Sequence, residues 1–113
     1  MPHDPELIRH ILEHADRPAA ERGSVEIPVP ATHSPAAVAR HIALLIEHKL
    51  LDGLASDTPG EPHRIRGLTD LGRDLQRALH DKRVRKKIKH AAVHLGEDAT
   101  LHLLLDIAKG LLL

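Results

Sequence analysis

The sequence predicts an α+β domain that is mostly α. Its central stretch, residues 34–53, begins with Ser34 and Pro35, a helix N-cap followed by proline at the first helical position, and continues with apolar residues at helical spacing. Residues 54–68 have the pattern of a β-hairpin, and Thr69 then caps another helix. A helix, a hairpin and a helix in this order are typical of a winged helix-turn-helix-like domain with a small β-hairpin wing, here with extra C-terminal helices.

Length and composition indicate one domain. The chain has 113 residues, of which 42% are hydrophobic and 28% charged, as in ordinary globular proteins. We expect residues 1–80 to form the winged-helix-like core and residues 81–113 a C-terminal helical extension of the same domain. Cysteine is absent, the first ten residues carry charges where a signal peptide would need an apolar run, and no segment approaches the length of a membrane span. We therefore predict a cytoplasmic protein with no membrane partner.

The chain contains no Phe, Trp or Tyr. Sequence-specific RNA-binding modules and single-strand binders stack bases on aromatic side chains, so the composition argues against both classes. The core must therefore be built from Leu, Ile, Val and Ala.

The first element is a helix that begins at Asp4-Pro5-Glu6 and ends at Arg17-Pro18. Residues 25–29 alternate apolar and polar, which predicts a short strand, and Pro28 confines that strand to an edge. The nearby prolines leave little room for the helix that a standard helix-turn-helix has before Ser34. We expect that helix to be short or replaced.

The later elements follow from turn signals and apolar spacing. Strands over residues 50–55 and 63–68 flank a turn at 57–60, with Ile65 inward and Arg64 and Arg66 outward. Three helices complete the prediction: residues 70–80, residues 82–95 with an apolar face of Val84, Ile88, Ala91 and Leu95, and residues 99–113, recapped at Asp98 after Gly96.

This order of features resembles a bacterial, often prophage-encoded family known as domain of unknown function 2513. The resemblance rests on residues 4–12, 25–27 and 38–45, on Leu68-Thr69 with Gly72 and Leu75, and on Leu95-Gly96 with the leucine-rich end. It implies a winged-helix-like fold and no established activity. The family usually has Gly where Lys49 stands and aromatic residues where Asp70 and Leu71 stand. Without that Gly, the central helix either ends in a strained turn or continues to Gly53.

Charge is unevenly placed along the chain. Residues 82–89 hold six basic side chains and no acidic one, whereas the rest holds all sixteen acidic and ten basic residues, a formal charge of −6. Such a run is usually the solvated side of an amphipathic helix. The alternative is a surface for an acidic partner: phosphates, anionic lipid or the acidic remainder of the protein.

We predict that the protein is a DNA-binding regulator of prophage or mobile-element type, whose partner is double-stranded DNA. The candidate DNA-binding residues are Arg40, His41, Arg64, Arg66, Lys82, Arg83, Arg85, Lys86, Lys87 and Lys89. The alternative is a protein–protein interaction module, for instance a phage accessory or inhibitor protein, with the same fold and no DNA binding.

No arrangement of nucleophile and base, and no phosphate-binding glycine loop, points to catalysis, so we predict neither an enzyme nor a cofactor. Among eleven histidines, His10/His14 and His90/His94 have the i, i+4 spacing that lets two imidazoles share a zinc ion. Neither pair has the intervening glutamate of the zinc-protease motif. We predict no metal site and leave open whether either pair binds an ion.

The last predicted helix is apolar on every side, which indicates burial on more than one side. We therefore predict a homodimer, since two-fold closure is the commonest form of assembly. The candidate interface residues are Leu101, Leu104, Leu105, Leu111 and Leu112.

Overall fold

Five helices and a two-stranded antiparallel hairpin make up the computed structural model, which describes residues 4–16, 27–56 and 63–110. In chain order the elements are α1 (Pro5–Ala15), α2 (Pro35–Glu47), β1 (Leu51–Leu54), β2 (Arg64–Leu68), α3 (Asp70–Ala78), α4 (Lys82–His94) and α5 (Glu97–Ala108). The described part of the chain is thus a small, mostly helical α+β domain, as the sequence predicts.

Three helices begin at the predicted caps. The side chains of Asp4, Ser34 and Thr69 each accept a hydrogen bond from a backbone N–H two or three residues later, at 2.9 to 3.1 Å. Each bond satisfies one of the backbone donors that the first turn of a helix leaves without a partner. These local signals are therefore confirmed.

Helix α2 does not continue to Gly53. It ends at Glu47, and Lys49 adopts a left-handed conformation with φ of 64°. The Leu50 N–H donates to the Leu45 carbonyl at 2.8 Å, which is the long bond of a Schellman motif. Lysine therefore occupies the position that favours glycine, and the turn that it makes leads directly into β1.

The hairpin contains an irregularity at its centre. Asp52 pairs with Gly67 and Gly53 pairs with Ile65, so Arg66 is an extra residue on β2, as in a β-bulge. A Cβ on Gly53 would lie 2.2 Å from the backbone oxygen of the facing strand, which explains why glycine stands there. The predicted turn at 57–60 lies outside the described residues.

The segment before α2 differs from the prediction. Residues 25 and 26 lie outside the described part, and residues 27–30 form no strand. In a strand the Pro28 carbonyl would pair with a backbone N–H, but here the ring Nε2 of His10 contacts it at 2.7 Å. A turn follows, in which the His33 N–H donates to the Pro30 carbonyl. Residues 27–34 thus form no second helix of a helix-turn-helix; residues 17–26 lie outside the described part.

The junction between α4 and α5 corrects two predictions. Leu95 is not part of the buried face of α4, because it lies at the helix end and is 63% exposed. Asp98 is not the cap of α5: the helix begins at Glu97 after Gly96, whose φ is 91°. The Thr100 hydroxyl donates to the Gly96 carbonyl at 2.7 Å. Residues 111–113 lie outside the described part.

The core is aliphatic and centres on α1. This helix packs against α2, α3, α4 and β2, and α5 packs against α3 and α4. Among the core residues with 1% exposure or less are Leu7, Ile8, Ile11, Leu12, Leu45, Leu50, Leu75, Leu79, Ile88 and Leu104. No helix within the described ranges is both long and apolar enough to cross a membrane.

Candidate nucleic-acid interface

Helix α4 presents the most strongly charged surface of the described residues. It begins after Asp81, whose carboxylate accepts the Arg83 N–H at 2.8 Å, and it turns Ile88 and Ala91 into the core. The opposite side is exposed and basic. Its members are Lys82, Arg83, Lys86, Lys87 and Lys89.

The lysines of this α4 basic face have no carboxylate partner within the ranges that the structure describes. Among the described residues no acidic oxygen lies within 4 Å of any of the four, and Arg83 pairs only with the neighbouring Asp81, at 3.3 Å. The Arg83 backbone N–H and side chain lower the pKa of Asp81. Since an exposed pair of this kind contributes little energy, most of the positive charge remains available to an anion.

Arg85 does not belong to the basic face, although the sequence places it among the candidates. Its side chain is only 18% exposed, and its Nε lies 3.2 Å from the Glu6 carboxylate. A terminal guanidinium nitrogen donates to the Leu79 carbonyl at 2.7 Å. Arg85 therefore ties α4 to the start of α1 and the end of α3. Sequence reasoning missed this role because position 85 lies at the border between the two faces of α4.

His41 is also a correction. It is 7% exposed and lies between α1 and α2. Its Nε2 accepts the Asp4 N–H at 3.2 Å and its Nδ1 contacts the Ala37 carbonyl at 2.7 Å, which together require the neutral tautomer with the proton on Nδ1. Burial lowers the pKa of His41, in keeping with that form. A buried ring of this kind is not available to contact DNA.

The remaining candidates are exposed. Arg40 lies on the outer side of α2, with Ala36 and Glu47 also exposed. Arg64 and Arg66 are exposed on β2, with Ile65 buried between them, as the sequence predicts. The hairpin packs mainly on α1, α2 and α3.

The start of α1 joins α2 and α4. The backbone N–H of the cap residue Asp4 donates to His41 of α2, and Glu6, in the first turn of α1, contacts Arg85 of α4. The Asp4 carboxylate also lies 2.8 Å from the His33 ring. Burial alone would raise the pKa of Asp4, but the hydrogen bonds from His33 and the Glu6 backbone outweigh burial, so the pKa of Asp4 is lowered. Helices α2 and α4 thus flank one end of α1. Asp4 was predicted only as a cap, and no local signal indicates its second contact.

No protein-family model, no curated protein and no solved structure matches this chain. The resemblance to the domain of unknown function 2513 family therefore rests on the residues quoted above alone.

The histidine pairs have different surroundings. The rings of His10 and His14 are 4.5 Å apart between centroids, and His10 contacts the Pro28 carbonyl. The rings of His90 and His94 are also 4.5 Å apart, and both residues are exposed on α4. Within the described ranges, no group of three or more metal-ligating side chains is present.

The predicted dimer residues are divided by the fold. Leu104 is fully buried in the core of its own chain and cannot form an interface, which corrects that assignment. Leu101 and Leu105 are half-buried, and Leu111 and Leu112 lie outside the described residues. Because α5 packs against both α3 and α4, contacts within one chain account for much of its apolar character.

Proposed function

We propose that this chain is a winged-helix type of domain that binds double-stranded DNA. The α4 basic face would contact the phosphate backbone, and α2 and the hairpin would be presented to the grooves. The observation that carries the proposal is the group of four lysines on one exposed helix face without a carboxylate partner among the described residues. A surface of this chemistry supports a role in binding an anionic partner.

The charge distribution supports one orientation on DNA. The rest of the chain carries a formal charge of −6 and is repelled by phosphates, so α4 would approach first. Each lysine or arginine that neutralises a phosphate releases condensed counterions. If all five residues of the basic face make such contacts, the slope of log K against log salt is about −4 to −5.

Base discrimination would come from other residues. Arg40 lies on the exposed side of α2 next to the small residue Ala36, which allows close approach to a groove. Arg64 and Arg66 would contact phosphates or the minor groove from the hairpin. Glu47, exposed near the end of α2, disfavours phosphates there and limits the contact to the first half of the helix.

The biological setting follows from the resemblance and not from the fold. We propose a cytoplasmic regulator of prophage or mobile-element type, because that family is often encoded by prophages and the chain lacks cysteine.

The test is fluorescence anisotropy of a labelled duplex titrated with the full chain over a range of salt concentrations. Lys86→Gln with Lys87→Gln removes two phosphate contacts and should make the salt slope about 1.8 units shallower, with the same loss for every duplex sequence. Arg73→Gln with Arg77→Gln is the matched control: the same charge is removed from α3, where Asp16 and Asp74 lie 3.6 and 4.0 Å away.

No binding of the wild type at low salt would refute the proposal. An equal effect of the two double variants would mean that only total charge matters and that α4 is merely solvated. Arg40→Ala should reduce the free-energy difference between duplexes of different sequence by about 1–3 kcal/mol. It should change the salt slope by no more than the value for one phosphate contact, about 0.9.

A protein-interaction module is the second candidate. Val93 and Leu95, at the end of α4, are 58% and 63% exposed, and large apolar side chains in such positions are found at protein interfaces. We also propose self-association through Leu101 and Leu105. Sedimentation equilibrium at micromolar concentration tests the self-association: a mass of 12.4 kDa refutes the homodimer. A mass of twice that value, lost in Leu101→Gln with Leu105→Gln, supports it.

A further inference from the structure

We propose that His90 and His94 belong to the same DNA-contacting surface as the α4 basic face, so that binding of the phosphate backbone takes up protons. The inference rests on the proposed function and extends it to regulation: the affinity for DNA increases as the pH falls.

Helix geometry places both histidines in one row with basic residues. At about 100° per residue, positions 83, 87, 90 and 94 fall within about 60° of one another around α4. All four side chains, Arg83, Lys87, His90 and His94, are exposed, whereas Ile88 and Ala91 are buried. The row extends about 16 Å along the helix axis, so a phosphate backbone lying on its first half also reaches the two rings.

The surroundings of the rings leave them available to an anion. On α4 the nearest charged residues are Lys86, Lys87 and Lys89. The helices packed against α4 carry Glu6, Arg9, His10, Glu13 and His14 on α1, and Glu97, Asp98, His102, Asp106 and the adjoining Lys109 on α5. Of the described carboxylates, none lies within 4 Å of either ring, and Glu6 is engaged by Arg85. The rings contact each other at 4.5 Å between centroids.

Phosphate contact provides the coupling between proton and ligand. Histidine is the side chain whose charge ordinarily changes between about pH 5 and 8. A phosphate within a few ångströms stabilises the protonated ring, so the complex binds more protons than the free protein does. By linkage, the affinity must then rise as the proton concentration rises. The same pair has the spacing of two zinc ligands, but the neighbouring lysines repel a divalent cation, which favours an anion here.

The experiment compares the affinity for one duplex at about pH 8 and about pH 6, at fixed ionic strength and with a chelator present. We expect the wild type to bind roughly tenfold more tightly at the lower pH, because each of two rings gains a phosphate contact. His90→Gln with His94→Gln should bind like the wild type at the higher pH and lose most of the increase. His80→Gln with His102→Gln removes two other exposed histidines and should keep it.

The outcomes separate the inference from the function on which it rests. No binding by the wild type at either pH refutes the proposed function. Binding at the higher pH with an unchanged increase in the His90→Gln, His94→Gln variant refutes only the role of the two histidines. Binding that requires added zinc, and that the chelator abolishes, assigns the pair to a metal and also refutes the inference. Far-ultraviolet circular dichroism of each variant checks that α4 remains folded.

Discussion

The left-handed turn at Lys49 makes a quantitative prediction about stability. An L-residue with a side chain pays about 1–2 kcal/mol for this conformation relative to glycine, and the extra freedom of glycine in the unfolded chain cancels part of that difference. We therefore expect Lys49→Gly to be about 1 kcal/mol more stable than Lys49→Ala. Both variants lose the same exposed lysine side chain, so their difference isolates the backbone term.

The backbone contacts of this turn are the same in both variants. The Lys49 carbonyl accepts the Thr69 hydroxyl at 2.5 Å, and the Leu50 N–H donates to Leu45. Neither bond involves the substituted side chain. Lys49→Asn should fall between the two variants, because asparagine tolerates the left-handed region better than alanine does.

Urea unfolding followed by far-ultraviolet circular dichroism measures the difference, with the slope of free energy against urea compared among the variants. A gain of 1 kcal/mol corresponds to an increase in Tm of about 4 °C for a domain of this size. If Lys49→Gly were as stable as Lys49→Ala, or less stable, position 49 would not be left-handed in solution. The helix would then continue beyond Glu47.

Three further predictions concern the interior. Burial lowers the pKa of His41, so the ring binds a proton more readily in the unfolded chain than in the folded one. The stability that the neutral ring contributes is therefore complete above the unfolded pKa of about 6.5 and is lost as the pH falls below that value. In urea unfolding, the free energy of unfolding of the wild type should fall more steeply with decreasing pH than that of His41→Gln. Gly72→Ala should destabilise by about 3 kcal/mol, since the added Cβ would lie 1.8 Å from a backbone oxygen; a thermal melt like that of the wild type would contradict this. Leu104→Ala should cost about 2–5 kcal/mol in urea unfolding, against about 0.5 kcal/mol or less for the exposed Leu95→Ala; equal losses would contradict the assigned burial.

Sequence signals that act within one turn of chain predicted the positions of most helices and of the hairpin strands. The caps at Asp4, Ser34 and Thr69 depend on a side chain and a backbone N–H a few residues apart, and the alternation around Ile65 depends on strand geometry alone. The strand predicted at residues 25–29 failed over residues 27–29, because strand pairing needs a partner that the local pattern does not contain. The cap predicted at Asp98 was wrong because α5 already begins at Glu97, with Gly96 in the cap position and no side-chain cap.

The candidate site was predicted less completely, for a related reason. The exposed positions of α4 follow from its apolar period, so Lys86 and Lys87 were placed correctly on the outside. His41 and Arg85 are polar residues whose environment is set by α1, through contacts between residues 37 and 79 positions apart. Only the packed structure reveals such contacts.

The aliphatic core has a practical consequence for how this protein is observed. Without Phe, Trp or Tyr the chain has almost no absorbance or fluorescence in the near ultraviolet, so a bound nucleic acid can be followed there with little background from protein. The same absence removes the near-ultraviolet dichroism that usually distinguishes a packed interior from a molten one. It also leaves the buried methyl groups largely without ring-current shifts in NMR spectra. Tight packing of this core must therefore be judged from amide hydrogen exchange and from the cooperativity of unfolding.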